Sequence, residues 1–317
     1  ETLGTWNLEP SRGTLLRVNN FPNKSLSLAL VLMIAAATFA IRLAGPPNLM
    51  DNDQERPASY VLDAVLNGHW VCQQDWMGDV TSKPPLYTWL AALATLPFDR
   101  INLFSLYLPA AVAVAGMACL ILLAGRKYFS PMAGLFGALA FLLSPIMSRQ
   151  IALARTDAVF AFMISLAAMA AYRAWTRGRG WTWFWLLAAL ATLAKGPLGV
   201  LLAAGGLVAC AWEGKKPRGS HVAGLALYFL LTLGWLALAY HEMGPPVIEK
   251  LVKGELVFHA VSDTKGDVIG QNFYKPTVYF LHRFLPWSLL SCVGFWRVLK
   301  RRAEGDDRGC EERPPEV

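Results

Sequence analysis

Long apolar runs separated by short charged clusters organise this chain. Leu26 to Ile41, Leu103 to Ala124, Ala133 to Ile146, Val159 to Trp175, Val222 to Tyr240 and Thr277 to Trp296 are predominantly apolar and lack two-residue alternation. Such runs predict membrane-spanning helices: lipid offers backbone N–H and C=O groups no partner, and barrel strands would alternate polar with apolar. One further run, Trp181 to Trp212, is about 32 residues long and as a single helix would reach ~48 Å, well past a ~30 Å bilayer core. Between the first two runs the pattern changes. Tyr60, Val61, Ala64 and Val65 recur at helical spacing with Gly68 as a stop, predicting a short amphipathic helix on the membrane surface. Pro84-Pro85 predicts the start of a second one, ending at Leu96.

The charges fix how these runs are threaded. Basic clusters at Arg126-Lys127, at Arg173, Arg177 and Arg179, at Lys215-Lys216-Pro217-Arg218 and at Arg297 to Arg302 read as cytoplasmic loops. Residues 46–82 carry Asp51, Asp53, Glu55, Asp63, Asp75 and Asp79 against Arg56, the balance of a translocated segment. Because the 181–212 run is basic at both ends, it must cross twice, turning at Lys195-Gly196-Pro197 on the outer side as two short helices. The expected architecture is all-α: a polytopic bundle of about eight spans with amphipathic surface helices in the first outer loop. Residues 1–25 form a cytoplasmic N-terminal tail, 26–296 one membrane domain with outer loops 46–102 and 241–276, and 297–317 a cytoplasmic tail in which no structure is expected from Ala303 onward.

Composition agrees, with 55% hydrophobic and 16% charged residues and a mean hydropathy of +0.38, too apolar for a surface wetted all round. A net charge of +7 does not indicate nucleic acid, since no basic patch is interleaved with exposed aromatics. The five cysteines show no CxxC spacing and imply neither a disulfide framework nor a zinc site. His259 and His282 are lone, so no metal ligand set is assigned, and Trp181, Trp183 and Trp185 read as an interface belt.

With this topology the out-of-place charges share one side: Asp51, Asp53, Glu55, Arg56 and Lys83, then Arg149, Arg155 and Asp157, then Lys195. Ionisable groups near lipid are costly and tend to be functional. Mixed carboxylates and cations suit a reaction in which a base deprotonates a nucleophile while cations stabilise an anionic leaving group such as phosphate. Each has a plainer role open to it. Asp53 can cap the following helix, Lys83 can snorkel, Arg155 and Asp157 can simply pair, and Lys195 can mark a turn.

The ordered set Asp53-Gln-Glu-Arg56, Gly68-His-Trp70, Lys83-Pro-Pro-Leu-Tyr87, Arg155-Thr-Asp157, Ala194-Lys195-Gly-Pro197 and Leu285-Pro-Trp287-Ser288 resembles the GT-C glycosyltransferases that use polyprenyl-phosphate sugars. Within that group it is most similar to the aminoarabinose transferase and protein-mannosyltransferase branch. The resemblance implies Asp53 as general base on an acceptor hydroxyl, Lys83 on the lipid phosphate, and inversion at the anomeric carbon. It places Arg56, Arg155 and Lys195 at the donor phosphate and Glu55, Asp157 and Tyr87 as organisers of the site. It implies a polyprenyl-phosphate-sugar donor, a lipid (lipid A included), protein or glycan acceptor, and a multi-pass inner-membrane location with an extracytoplasmic site. Two departures matter. Many relatives carry Glu before the lysine, a candidate metal ligand, and here Ser82 stands there, which leaves a divalent metal unassigned; the family's second acidic residue is Gln54. Relatives also continue through more spans, so the chain reads as C-terminally truncated or as needing a partner subunit. A transporter or lipid flippase is the alternative class, although transporters place charge at mid-membrane in repeated halves, and no halves match here.

Overall fold

The computed structural model describes residues 23–47, 49–50, 53–98, 100–212, 219–251 and 275–308. Among them the regular structure is helical; the one β feature is an isolated antiparallel bridge between Gln74 and Val80. Four helices are long and apolar enough to cross a membrane: α1 (Lys24–Leu43), α4 (Leu103–Tyr128), α7 (Thr156–Arg177) and α10 (Val222–Met243). Between them come α2 (Glu55–Leu66), α3 (Leu86–Thr95), α5 (Pro131–Leu143), α6 (Pro145–Gln150), α8 (Trp181–Lys195), α9 (Leu198–Trp212) and α11 (Pro245–Ile248). Helices α12 (Lys275–Arg283) and α13 (Trp287–Arg308) close the chain.

The long run does divide at Lys195-Gly196-Pro197. Gly196 takes φ +88°, where an L side chain is strained, and Pro197 lacks the N–H a continuing helix needs. Helix α9 then folds back so tightly that a Cβ on Gly199 would sit 2.6 Å from the backbone of Ala191 and Thr192. The α4–α5 hairpin is as close, with Gly125 and Gly134 meeting backbone to backbone. Small residues are what let apolar helices gain packing energy where lipid supplies no hydrophobic drive.

Three expectations are corrected. The predicted span Ala133 to Ile146 is two helices, because Pro145 forces Ser144 into an extended conformation (φ −65°, ψ 140°). Thr277 to Trp296 is likewise broken ahead of Trp287, where Pro286 removes a helical donor. And α13 continues to Arg308, past the point at which the tail was expected to lose structure. Residues 1–22 and most of the outer loop 241–276, His259 included, fall outside the described residues.

Two packed regions hold the bundle. The larger joins α1, α2, α3, α4, α5, α7 and α10 through residues such as Val31, Val61, Tyr87, Val114 and Val159. The smaller joins α7, α8, α9 and α10 around Trp181, Phe184 and Tyr228. Here the predicted aromatic belt is corrected. Trp181 is 1% exposed and stacks on the His221 ring at 4.3 Å, while the Trp185 indole N–H donates to His221 Nδ1 at 3.2 Å. Trp183 alone of the three is strongly exposed, since residues four apart share a helix face and the one between them points away.

Candidate active site

The first outer loop is a built platform rather than a loose connection. Helix α2 is amphipathic, as its spacing predicts, burying Ala58, Tyr60, Val61 and Ala64 against α3 while Leu62 and Leu66 stay exposed. From its last turn the Asp63 carboxylate accepts from the backbone N–H of Gln74 (2.7 Å) and from the Asn67 amide (2.8 Å), and contacts His69 Nδ1 at 3.0 Å. Indole N–H groups from two other helices reach the same stretch: Trp89 donates to the Trp70 carbonyl and Trp235 to that of Val71. Asp75 accepts from the N–H groups of Met77 and Asp79, closing a turn. Burial pushes the Tyr60 phenol up from its ordinary value, opposed by hydrogen bonding to the Ser82 backbone and side chain. Lys83 itself is held by a reciprocal pair: its N–H donates to Thr81 Oγ1, whose hydroxyl donates back to the Lys83 carbonyl.

Around α7 the cations gather. Arg155 occupies the N-cap position, and its Nε lies 3.1 Å from Asp157 Oδ2. Lys195, arriving from the end of α8, places Nζ 2.5 Å from Asp157 Oδ1 and 5.8 Å from the centroid of the Phe160 ring. Lys83 is close enough for its charge to act on the same carboxylate. Two positive side chains thus contact one negative one, and Lys83 adds a weaker, longer-range charge, an excess suited to a phosphate. Lys195 is therefore more than a marker of the turn, and Arg155 and Asp157 are not an isolated pair.

Asp53 stands two residues before the start of α2 with φ +53°, a left-handed conformation that Asp tolerates better than most residues. The N-cap position falls to Gln54, which makes no side-chain cap bond, so Asp53 does not serve as the cap. Gln54 is instead buried, its Oε1 accepting from the Ala154 N–H at 2.9 Å. This bond ties the turn that presents Asp53 to the residue preceding Arg155. Asp51 lies outside the described residues.

The other candidates are placed differently. Arg56 is exposed, and its charge reaches Asp79, which is held below the usual carboxylate range chiefly by a 2.8 Å hydrogen bond from Lys250. Glu55 Oε2 is buried without a hydrogen-bond partner. Tyr87 donates to the Leu106 carbonyl at 2.6 Å inside the core, packing α3 on α4. Among the described residues no three His, Cys, Asp or Glu side chains converge as a metal site. Sequence reasoning missed the Gln54–Ala154 bond and the Lys250–Asp79 pair; only Asp63 and His69, six apart around a helix stop, had a local signal.

Residues 82–238, from the Lys83 loop through α10, match the family described as dolichyl-phosphate-mannose-protein mannosyltransferase. The match covers just under half of the chain. The described structure is similar to ArnT from Cupriavidus metallidurans bound to undecaprenyl phosphate, with a TM-score of 0.60 and 18% identity over 84% of this chain and 50% of that one. The same protein in the apo state gives 0.60 and 19% over 82% and 48%. This chain therefore spans about half the length of ArnT. No curated protein matches the sequence significantly.

Proposed function

We propose that the protein transfers a sugar from a polyprenyl-phosphate donor to an acceptor hydroxyl at the extracytoplasmic face of the membrane, with inversion at the anomeric carbon. The observation that carries this reading is the contact of Arg155 and Lys195 with one carboxylate, Asp157, close to the turn that presents Asp53. The family of the 82–238 segment supports sugar transfer from a lipid carrier, and the undecaprenyl phosphate bound by ArnT supports the class of carrier.

In the reaction Asp53 accepts the proton of the acceptor hydroxyl as that oxygen attacks the anomeric carbon. The bond from this carbon to the phosphate oxygen breaks, and its electron pair leaves with the polyprenyl phosphate. A phosphodiester becomes a monoester, so one unit of negative charge develops on the leaving group. Lys83, Arg155 and Lys195 are placed to stabilise that charge, and donors set in advance require no reorganisation as it forms. Asp157 holds two of them in position. Glu55 supports the base turn, Tyr87 fixes α3 behind Lys83, and Arg56 steers anions through the outer loop. Eight crossings with every basic cluster inside would place the site outward in a plasma or inner membrane, with residues 26–296 as one domain between two cytoplasmic tails.

The test is release of polyprenyl phosphate from a panel of polyprenyl-phosphate sugars by the purified protein with a cell-envelope extract as acceptor. The expected result is release that requires both the extract and Asp53, with Asp53→Asn inactive though folded. Near-normal turnover by Asp53→Asn would sink the general-base assignment. Donor binding without turnover by the wild type would instead point to a partner subunit as part of the active unit. Neither binding nor release would favour a transporter.

A further inference from the structure

The hairpin that follows the Asp63 platform turns two large apolar side chains away from the protein. Gln74 and Val80 form its antiparallel bridge, with the Thr81 N–H donating to the Gln73 carbonyl and the Asp75 N–H to that of Asp79, each at 2.8 Å. Asp75 then takes up the tip. Its carboxylate accepts from the N–H groups of Met77 (2.9 Å) and Asp79 (3.0 Å), and its carbonyl accepts from that of Gly78 (2.9 Å), whose φ of +81° makes the reversal. Three consecutive backbone donors are satisfied within the hairpin, which is what a turn needs in order to leave water. On this internally bonded tip Trp76 is 72% and Met77 65% exposed.

Helix α10 gives the height of the tip against a bilayer. Its 22 residues reach ~33 Å, so its two ends match the two edges of a ~30 Å hydrocarbon core. Within the span the Trp235 indole donates to the Val71 carbonyl at 2.9 Å. Eight residues on, ~12 Å further along the axis, Met243 Sδ at the helix end accepts from Gln74 Nε2 at 3.5 Å. Residues 71–74 thus climb α10 to its last residue. The returning leg is tied near the same end, where Lys250 beyond α11 donates to Asp79 Oδ2 at 2.8 Å. Trp76 is two residues from Gln74 and so at most ~7 Å from it along the chain. That reach is comparable with the ~6 Å interfacial layer between hydrocarbon and water on each side of a bilayer. Trp suits this layer, since its rings are apolar and its N–H can reach headgroup oxygens.

We propose that the 74–80 hairpin is a membrane anchor that seats Trp76 and Met77 at the boundary between headgroups and acyl chains, in the leaflet at the Met243 end of α10. Its partner is the phospholipid bilayer itself. Lys83 follows Val80 by three residues, so the same anchor fixes the Lys83 loop at the level of lipid headgroups. The test uses the full chain in nanodiscs of phosphatidylcholine brominated on the acyl chain either near the headgroup or near the chain end, bromine being a contact quencher of indole fluorescence. Trp76 is read as the difference between the wild type and Trp76→Phe, which is expected to keep the wild-type unfolding midpoint because the ring lies outside the core. The difference signal is expected to lose at least half its intensity to the shallow bromolipid and at least threefold less to the deep one, with aqueous acrylamide quenching it at least threefold less than free tryptophan. A second readout is a nitroxide on Met77→Cys in a chain whose five native cysteines are alanine. Its relaxation is expected to respond more to oxygen than to a water-soluble nickel chelate. The proposal is overturned if acrylamide quenches the Trp76 signal and neither bromolipid does, which would assign the tip to water or to a protein partner. It is equally overturned if the deep bromolipid quenches more than the shallow one, or if the nickel chelate reaches the nitroxide more readily than oxygen.

Discussion

Gln54 Oε1 accepts the backbone N–H of Ala154 at 2.9 Å, joining the first outer loop to the connection between α6 and α7. The bond is buried, and it registers the turn carrying Asp53 against the helix start carrying Arg155 and Asp157. Gln54→Ala leaves the Ala154 N–H buried without a partner, an expected loss of about 1–3 kcal/mol. Thermal unfolding in detergent should show that loss together with reduced turnover. Gln54→Glu keeps an acceptor oxygen but buries a carboxyl group and loses the amide donor, so it should recover only part of either.

Asp53 combines a left-handed backbone with the carboxylate proposed as the base, and two substitutions separate them. Asp53→Gly suits φ +53° and should leave stability unchanged or raise it by up to about 1 kcal/mol while abolishing transfer. Asp53→Val should lose both, because a β-branched residue is strained there. Transfer assays paired with unfolding midpoints check this. Equal destabilisation by Gly and Val would remove the backbone half of the account.

Asp157 and Lys195 form a pair whose side chains are each about a third exposed, at 32% and 36%. A double-mutant cycle with Asp157→Asn and Lys195→Met should therefore give a modest coupling in stability, about 1 kcal/mol. Its effect on donor handling should be larger, since Asp157→Asn leaves Arg155 and Lys195 without their shared counter-charge. A rise of about tenfold in the donor KM is expected, and an unchanged donor KM would argue that Asp157 is purely structural.

Cys72 is fully buried in the platform, and burial, reinforced by the charges of Glu242 and Asp63, pushes its thiol up to about 11. The folded protein therefore binds this proton more tightly than the unfolded chain. The stabilising difference is fully present below the ordinary thiol value of 9.0 and is lost as pH rises from there through about 11. Unfolding midpoints should fall more steeply across that window in the wild type than in Cys72→Ala. Parallel curves for the two would show that this thiol does not contribute.

The sequence by itself determined the helices and several of their ends. Apolar run length, Pro and Gly interruptions and the alternation of basic clusters are local signals, and they located α1, α2, α3, α4, α7, α10 and the fold-back of α8 on α9 at Lys195-Gly196-Pro197. They misjudged the breaks at Ser144-Pro145 and before Trp287, where an apolar run continues through a proline and hydropathy outweighed backbone chemistry. Motif order also pointed to Asp53, Lys83, Arg155, Asp157 and Lys195 as members of one site. Only the tertiary structure decided which of them meet. Lys195 finds Asp157 and Gln54 finds Ala154 because separate helices pack in one register, and Trp181 leaves the surface for His221 because α10 lies beside α8. Such pairings arise from burial of whole helix faces, which no stretch of sequence contains by itself.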